Sequence, residues 1–177
     1  MKILPKIIED FEVIFFDLDG TLVFTEHLHE KAYKKACNQK GISYESLTFP
    51  VDKSLYLLKK NIYLDLLKQG PIEINRPIYE IYLQAFDKNK KVAIVSNTLH
   101  QNIDTILLSF NKRPDFVVSG EDFDKIKPFP DMYNFAIENL GARTEKILVF
   151  EDSDPGISAA ISAGLKVMDV RTGVLYG

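Results

Sequence analysis

The run Val13-Ile-Phe-Phe16, broken off at once by Asp17-Leu-Asp-Gly-Thr21, decides how the rest of the chain is read. Four β-branched or aromatic residues without polar alternation predict a strand buried on both faces, as in a parallel sheet. The same form returns downstream. Val92-Ala-Ile-Val95 stops at Ser96, Phe116-Val-Val118 at Ser119, and Ile147-Leu-Val-Phe150 at Glu151-Asp152, while Leu165-Lys-Val-Met168 is a weaker fifth case.

Helical patterns separate these runs. Ile103, Ile106, Leu107 and Phe110 share one face across 100–110, and Met132, Phe135, Ala136 and Leu140 do so across 130–140, before Gly141. Residues 155–163 place Ile157, Ala160 and Ile161 together, opened by Pro155 and closed by Gly164. Strand and helix therefore alternate from about residue 91 onward, which predicts an α/β fold with a parallel sheet of about five strands and right-handed crossovers.

The first strand breaks this rhythm, because a long interval separates Asp17 from the strand near Lys91. It reads as three helices: 26–40 ending at Gly41, 52–69 with Leu55, Leu58, Ile62 and Leu66 at helical spacing and ending at Gly70-Pro71, and 77–87 opened by Pro77. Residues 23–76 are read as a small α-helical insertion, a cap over the carboxyl ends of the strands, with 1–22 and 77–177 forming the α/β core. Residues 23–85 hold 9 Lys+Arg against 7 Asp+Glu, net +2, and the remainder 13 against 18, net −5, a balance suited to a lid that meets an anion. Six of the eight tyrosines lie in that interval, and Tyr44, Tyr56, Lys59, Lys60 and Tyr63 are candidates to touch substrate.

Composition narrows the classes. The 177 residues are 46% hydrophobic and 27% charged, as in an ordinary soluble domain with one modest insertion. The formal charge of −3 lacks the basic field that nucleic-acid binding needs. No stretch approaches the roughly 20 apolar residues that span a bilayer. The opening Met1-Lys-Ile-Leu-Pro-Lys-Ile-Ile8 has no small-residue cleavage site, so it is not read as a signal peptide. Cys37 is the only cysteine, which excludes a disulfide framework and favours a reducing cytoplasm; with three His beside it, a structural zinc site is not expected. The moderate length and the lack of an apolar stripe favour a monomer.

In an open parallel sheet, ligands sit beyond the carboxyl ends of the strands, where strand order reverses. Asp17, Ser96, Ser119, Glu151 and Asp152 occupy those ends. Asp17 and Asp19, two apart in extended chain, point the same way, and Gly20 lets backbone approach an anion. Carboxylates gathered at one edge repel unless a cation lies among them, and an all-oxygen donor set suits Mg²⁺.

Four stretches in order, Asp17-Leu-Asp-Gly-Thr21, Ser96-Asn97, Lys127-Pro128 and Glu151-Asp152-Ser-Asp-Pro-Gly156, together with the insertion after the first, resemble the haloacid dehalogenase superfamily over nearly the whole chain. The likeness is to its branch of β-phosphoglucomutase-like and small-molecule phosphatases, although the cap is shorter than usual there. The resemblance implies a Rossmann-like core. It also implies a phosphatase in which Asp17 attacks phosphorus to form a phospho-aspartate, and Asp19 protonates the leaving oxygen before activating water. Ser96, Asn97, Lys127 and Gly20 would bind the phosphoryl group. Mg²⁺ would be held by Asp17, Asp152, the backbone carbonyl of Asp19 and, directly or through water, Glu151. Thr25 and His29 fall where relatives face the active site from the cap, whereas Phe24 replaces the acidic residue that many carry. The substrate implied is a small phosphorylated metabolite.

Other readings share parts of this pattern. A sugar phosphomutase would return the phosphoryl group to a second hydroxyl, which Thr25 and His29 permit, but the short cap favours hydrolysis. A signalling receiver module also combines Asp, Mg²⁺, hydroxyl and Lys, yet it phosphorylates the Asp of its third strand and has no cap. A catalytically dead phosphate-binding module of the same fold is the remaining alternative.

Overall fold

The structure is a computed structural model and describes residues 4–177. Met1–Ile3, the start of the segment read above as unlike a signal peptide, lie outside the described residues. A short helix α1 (Leu4–Ile7) precedes strand β1 (Val13–Phe16). Helices α2 (Glu26–Lys40), α3 (Lys53–Gln69) and α4 (Arg76–Asp87) then lead to β2 (Lys91–Ser96). Beyond it the chain alternates: α5 (His100–Leu107), β3 (Phe116–Ser119), α6 (Asp131–Leu140), β4 (Ile147–Glu151), α7 (Asp154–Ser162) and β5 (Lys166–Asp169).

The strands form one sheet in the order β3-β2-β1-β4-β5-β6, all parallel but the last. The sixth strand, β6 (Leu175–Tyr176), extends the five expected. Its run Val174-Leu175-Tyr176 is short and exposed, and it pairs because the turn after β5 folds the chain back antiparallel onto that strand. No helix among the described residues is long and apolar enough to cross a membrane.

Alternation along the buried strands sorts the core into two layers. Ile14, Phe16, Ile94, Leu148 and Phe150 face one side, packed under α4 and α5. Val13, Phe15, Val95, Ile147 and Val149 face the other, packed under α6 and α7. Helices α2 and α3 are tied into the first layer through Ala32, Tyr63, Leu66 and Leu67, while Ala36, Cys37 and Leu55 make a small cluster of their own.

Register positions the site. Phe16 pairs with Ile94 on one side and Phe150 on the other, at the reversal of strand order, so Asp17 falls level with Val95 and Glu151, and Ser96 lies one residue further along β2. Asp17 continues the ladder for one more residue by donating its N–H to the Phe150 carbonyl (3.0 Å).

Helical faces differ from the sequence reading in detail. The α3 stripe expected at Leu55, Leu58, Ile62 and Leu66 is rotated, so that Lys59, Tyr63 and Leu67 are buried with Leu55 and Leu66. In α6 it is Met132, Tyr133 and Ala136 that are buried, and Phe135 lies 42% exposed on the flank. Ile161 of α7 is likewise exposed while Ala159 takes the inward place.

Candidate active site

Lys127 is the centre of the site. Its ammonium, on a side chain 3% exposed, donates to Asp17 Oδ1 and to Glu151 Oε2, each at 2.7 Å. It also lies 5.2 Å from the centroid of the Tyr133 ring, and the Tyr133 hydroxyl donates to the same Glu151 oxygen (3.1 Å). Burial alone would discharge this lysine, but Asp17, then Tyr133 and Glu151, outweigh it and hold its pKa well above the ordinary range.

The other Glu151 oxygen accepts the N–H groups of Asp152 (3.3 Å) and Ser153 (3.2 Å) and the Ser153 hydroxyl (2.8 Å). Five donors therefore occupy Glu151, which anchors the lysine and the turn into α7. Ser153 caps that helix by accepting from the Gly156 N–H (3.1 Å). A side chain at Gly156 would overlap the Glu151 carboxylate, so glycine is required there for close approach.

Asp17, Glu151 and Asp152 present carboxylate oxygens within 4.8 Å of one another. Against three carboxylates stands one ammonium. Burial and then Glu151 push Asp17 upward in pKa despite Lys127, and the same two causes raise Asp152. Asp152 receives only the Thr21 hydroxyl (3.0 Å) on Oδ1. The residues present fit a divalent cation: the donors are all oxygen, the negative charge is in excess, and Asp17 and Asp152 each keep an oxygen uncommitted to a protein donor.

Gly20 contributes space. It holds φ of +89°, its N–H donates to the Val23 carbonyl (2.7 Å), and a Cβ there would strike the Asp152 carboxylate. Ser96, 2% exposed, accepts from the Thr98 N–H (3.2 Å). Asn97 braces the lysine loop, its Oδ1 accepting the Lys127 N–H (3.2 Å).

Asp19 is gripped by three hydroxyls. Thr25 and Tyr63 donate to Oδ1, the latter at 3.2 Å, and Thr98 donates to Oδ2. Thr25 and Tyr63 come from the chain beyond β1 and from α3, so the insertion reaches the acid directly. His29 stacks on Tyr63 with ring centroids 3.9 Å apart, and the Lys59 ammonium donates to His29 Nδ1 (2.6 Å). An ammonium cannot accept, so His29 is neutral with its proton on Nε2. Burial and then the Lys59 charge lower His29 to about 4, and burial lowers Lys59 to about 8.

A cleft of about 320 Å³ is lined by Asp17, Asp19, His29, Ser96, Asn97, Thr98, Lys127 and Ser153. It collects the sequence candidates from three strand ends and the cap, with Glu151 and Asp152 behind it. Sequence reasoning missed Thr98, Tyr133 and Ser153. Thr98 follows Ser96-Asn97 directly and could have been inspected with them, and Ser153 sits inside a motif already quoted. Tyr133 gives no local signal, since only the packing of α6 brings it beneath Lys127.

Comparison with known proteins agrees with this geometry. CbbY of Rhodobacter capsulatus is 24% identical over 90% of this chain and 85% of its own. A phosphorylated carbohydrates phosphatase of Thermotoga maritima is 28% identical over 88% and 82%. The crystal structure of CbbY from Rhodobacter sphaeroides with xylulose-(1,5)bisphosphate superposes with a TM-score of 0.78 over 89% of this chain and 84% of that one, at 23% identity. The family model of the haloacid dehalogenase-like hydrolases matches residues 11–164. The chain thus belongs to the haloacid dehalogenase-like hydrolases.

Proposed function

We propose that the protein is a Mg²⁺-dependent phosphatase that hydrolyses a small-molecule phosphate monoester through a phospho-aspartate on Asp17. The observation that carries this reading is the buried Asp17 carboxylate, fixed by Lys127 in a polar cleft that Asp19 also lines. Residues 23–76 serve as the cap and the remainder as the catalytic core. Relatives named for phosphorylated carbohydrates support a phosphorylated metabolite as substrate.

Asp17 and Asp152, with the Asp19 backbone carbonyl, would hold Mg²⁺, and Glu151 would reach it through water. When bound, Mg²⁺ supplies positive charge that offsets repulsion between the carboxylate nucleophile and an anionic phosphate. The protein residues do the rest. Lys127 donates to Asp17 Oδ1 and so orients the carboxylate for attack on phosphorus. The Ser96 hydroxyl donates to the transferring oxygens and the Lys127 ammonium offsets their charge, while Asn97 keeps the lysine loop in register. Asp19, protonated in the reacting complex, gives its proton to the leaving alcohol, then removes one from the water that cleaves the acyl phosphate. Thr25, Thr98 and Tyr63 fix its rotamer through both steps.

The test is phosphate release from acetyl phosphate and a metabolite panel with Mg²⁺ present. Asp17→Asn should lower kcat/KM on the order of a thousandfold or more. Parent-like turnover by that variant would remove Asp17 as nucleophile.

A further inference from the structure

Tyr133, on α6, is fully buried and is not among the side chains that line the catalytic cleft. Its ring stacks on Phe15 of β1, with centroids 6.2 Å apart and planes 17° from parallel. The Lys127 ammonium lies 5.2 Å from the centroid of the same ring. A phenylalanine would fill this space and present the same ring to the ammonium. Packing therefore accounts for the ring and leaves the hydroxyl unexplained. A hydroxyl is costly to take out of water, so a buried one depends on the bond it makes. This one donates to Glu151 Oε2 (3.1 Å), the oxygen that also accepts from Lys127 (2.7 Å).

Two buried carboxylates compete for that lysine. Its ammonium reaches Asp17 Oδ1 and Glu151 Oε2 at the same 2.7 Å. Glu151 is held in place, because Oε1 accepts from the Asp152 and Ser153 N–H groups and the Ser153 hydroxyl, and Gly156 closes against the carboxylate. With Lys127 as its only donor, Oε2 would draw the ammonium toward Glu151 and away from Asp17, since attraction between charges is strong where water is scarce. The Tyr133 hydroxyl is a second donor on Oε2 and takes up part of that pull. Phe15, on which its ring rests, lies two residues before Asp17, so this donor is tied to the strand that carries the nucleophile.

We propose that Tyr133 is a positioning residue for Lys127: by donating to Glu151 Oε2, it keeps the ammonium shared with Asp17 and able to meet a phosphoryl oxygen. The inference rests on the phosphatase reading and deepens it, because the hydroxyl then sets how tightly the site holds a phosphoryl anion.

Tyr133→Phe removes the hydroxyl and keeps the ring, so it isolates this contribution. Inorganic phosphate, titrated calorimetrically with Mg²⁺ present, should bind this variant about fivefold more weakly than the parent. With acetyl phosphate as substrate, kcat/KM should fall by about tenfold. Ala136→Gly, one turn along α6 and buried in the same layer, weakens the helix without touching Glu151 and should leave phosphate affinity within twofold of the parent's. Phosphate affinity of Tyr133→Phe within twofold of the parent's, or a loss that Ala136→Gly reproduces, overturns the proposal while the phosphatase reading stands. A parent that binds phosphate but releases none from acetyl phosphate or the metabolite panel overturns the phosphatase reading, and the calorimetric comparison still decides what Tyr133 does. A parent that binds no phosphate overturns both.

Discussion

At the scale of single residues, the site is governed by how one ammonium is shared. Lys127 bridges Asp17 and Glu151 where neither has much access to water, so each charge depends on the others being present. Lys127→Met keeps the volume and leaves two buried carboxylates facing each other. Removal of one partner from a buried ionic group typically costs about 3–5 kcal/mol, and that loss should appear in urea denaturation at neutral pH. Turnover should fall further than stability, because Asp17 loses its alignment as well. Little of this linkage is visible in the sequence. Lys127 and Glu151 could be named from their motifs, but Tyr133, which closes the triangle beneath them, lies on an ordinary amphipathic helix. Tyr63 was legible only as a possible substrate contact; its bond to Asp19 spans 44 positions and depends on how the insertion folds back.

Elements set the distances over which those residues act. Strand ends were legible because each buried run stops at a polar residue, and parallel register then brings Asp17 level with Glu151 and within one residue of Ser96. Helical faces were read less well. The apolar stripe expected in α3 yields to a neighbouring face that carries Lys59 and Tyr63, since packing against α2, with its His29 ring, and α5 decides the rotation. β6 was not anticipated, because its run Val174-Leu175-Tyr176 is short and pairs only through the turn before it. The turn from β4 into α7 is the most exacting of these joints. Ser153 caps the helix and holds Glu151 at once, and Gly156 admits the carboxylate at van der Waals range. Gly156→Ala would improve helix propensity elsewhere, but here its methyl must displace Glu151. We expect a loss of about 1–3 kcal/mol in stability, with catalysis falling through the displaced lysine. Asp154→Ala, on the exposed side of the same turn, is the control. Equal stability in the two variants would show that the Glu151 carboxylate has room to move.

Across the whole molecule, the excess of carboxylates ties stability to both protons and metal. Asp17 and Asp152 have pKa values raised by burial and by Glu151, so the folded state takes up protons more readily than the unfolded chain. Where the folded pKa exceeds the unfolded one, lowering the pH favours folding until both states are protonated. The metal-free protein therefore carries a penalty at neutral pH that shrinks as the pH falls through the raised values toward the ordinary carboxylate range. Mg²⁺ relieves the same repulsion without protons. Denaturation midpoints measured against pH should accordingly lie apart at pH 7, higher with Mg²⁺, and converge as the acids protonate. A ligand at a hundredfold its Kd contributes about 2.7 kcal/mol, or several degrees in Tm for a chain of this size. His29, lowered to about 4, acts with the opposite sign by destabilising the fold as pH falls below 6.5. For that reason the comparison is made between curves with and without Mg²⁺, in which the histidine contribution is common to both. Asp152→Asn should raise the metal-free midpoint at pH 7 and remove most of the separation. Parallel curves that never converge, or an unchanged separation in that variant, would place the cation somewhere other than among Asp17, Glu151 and Asp152.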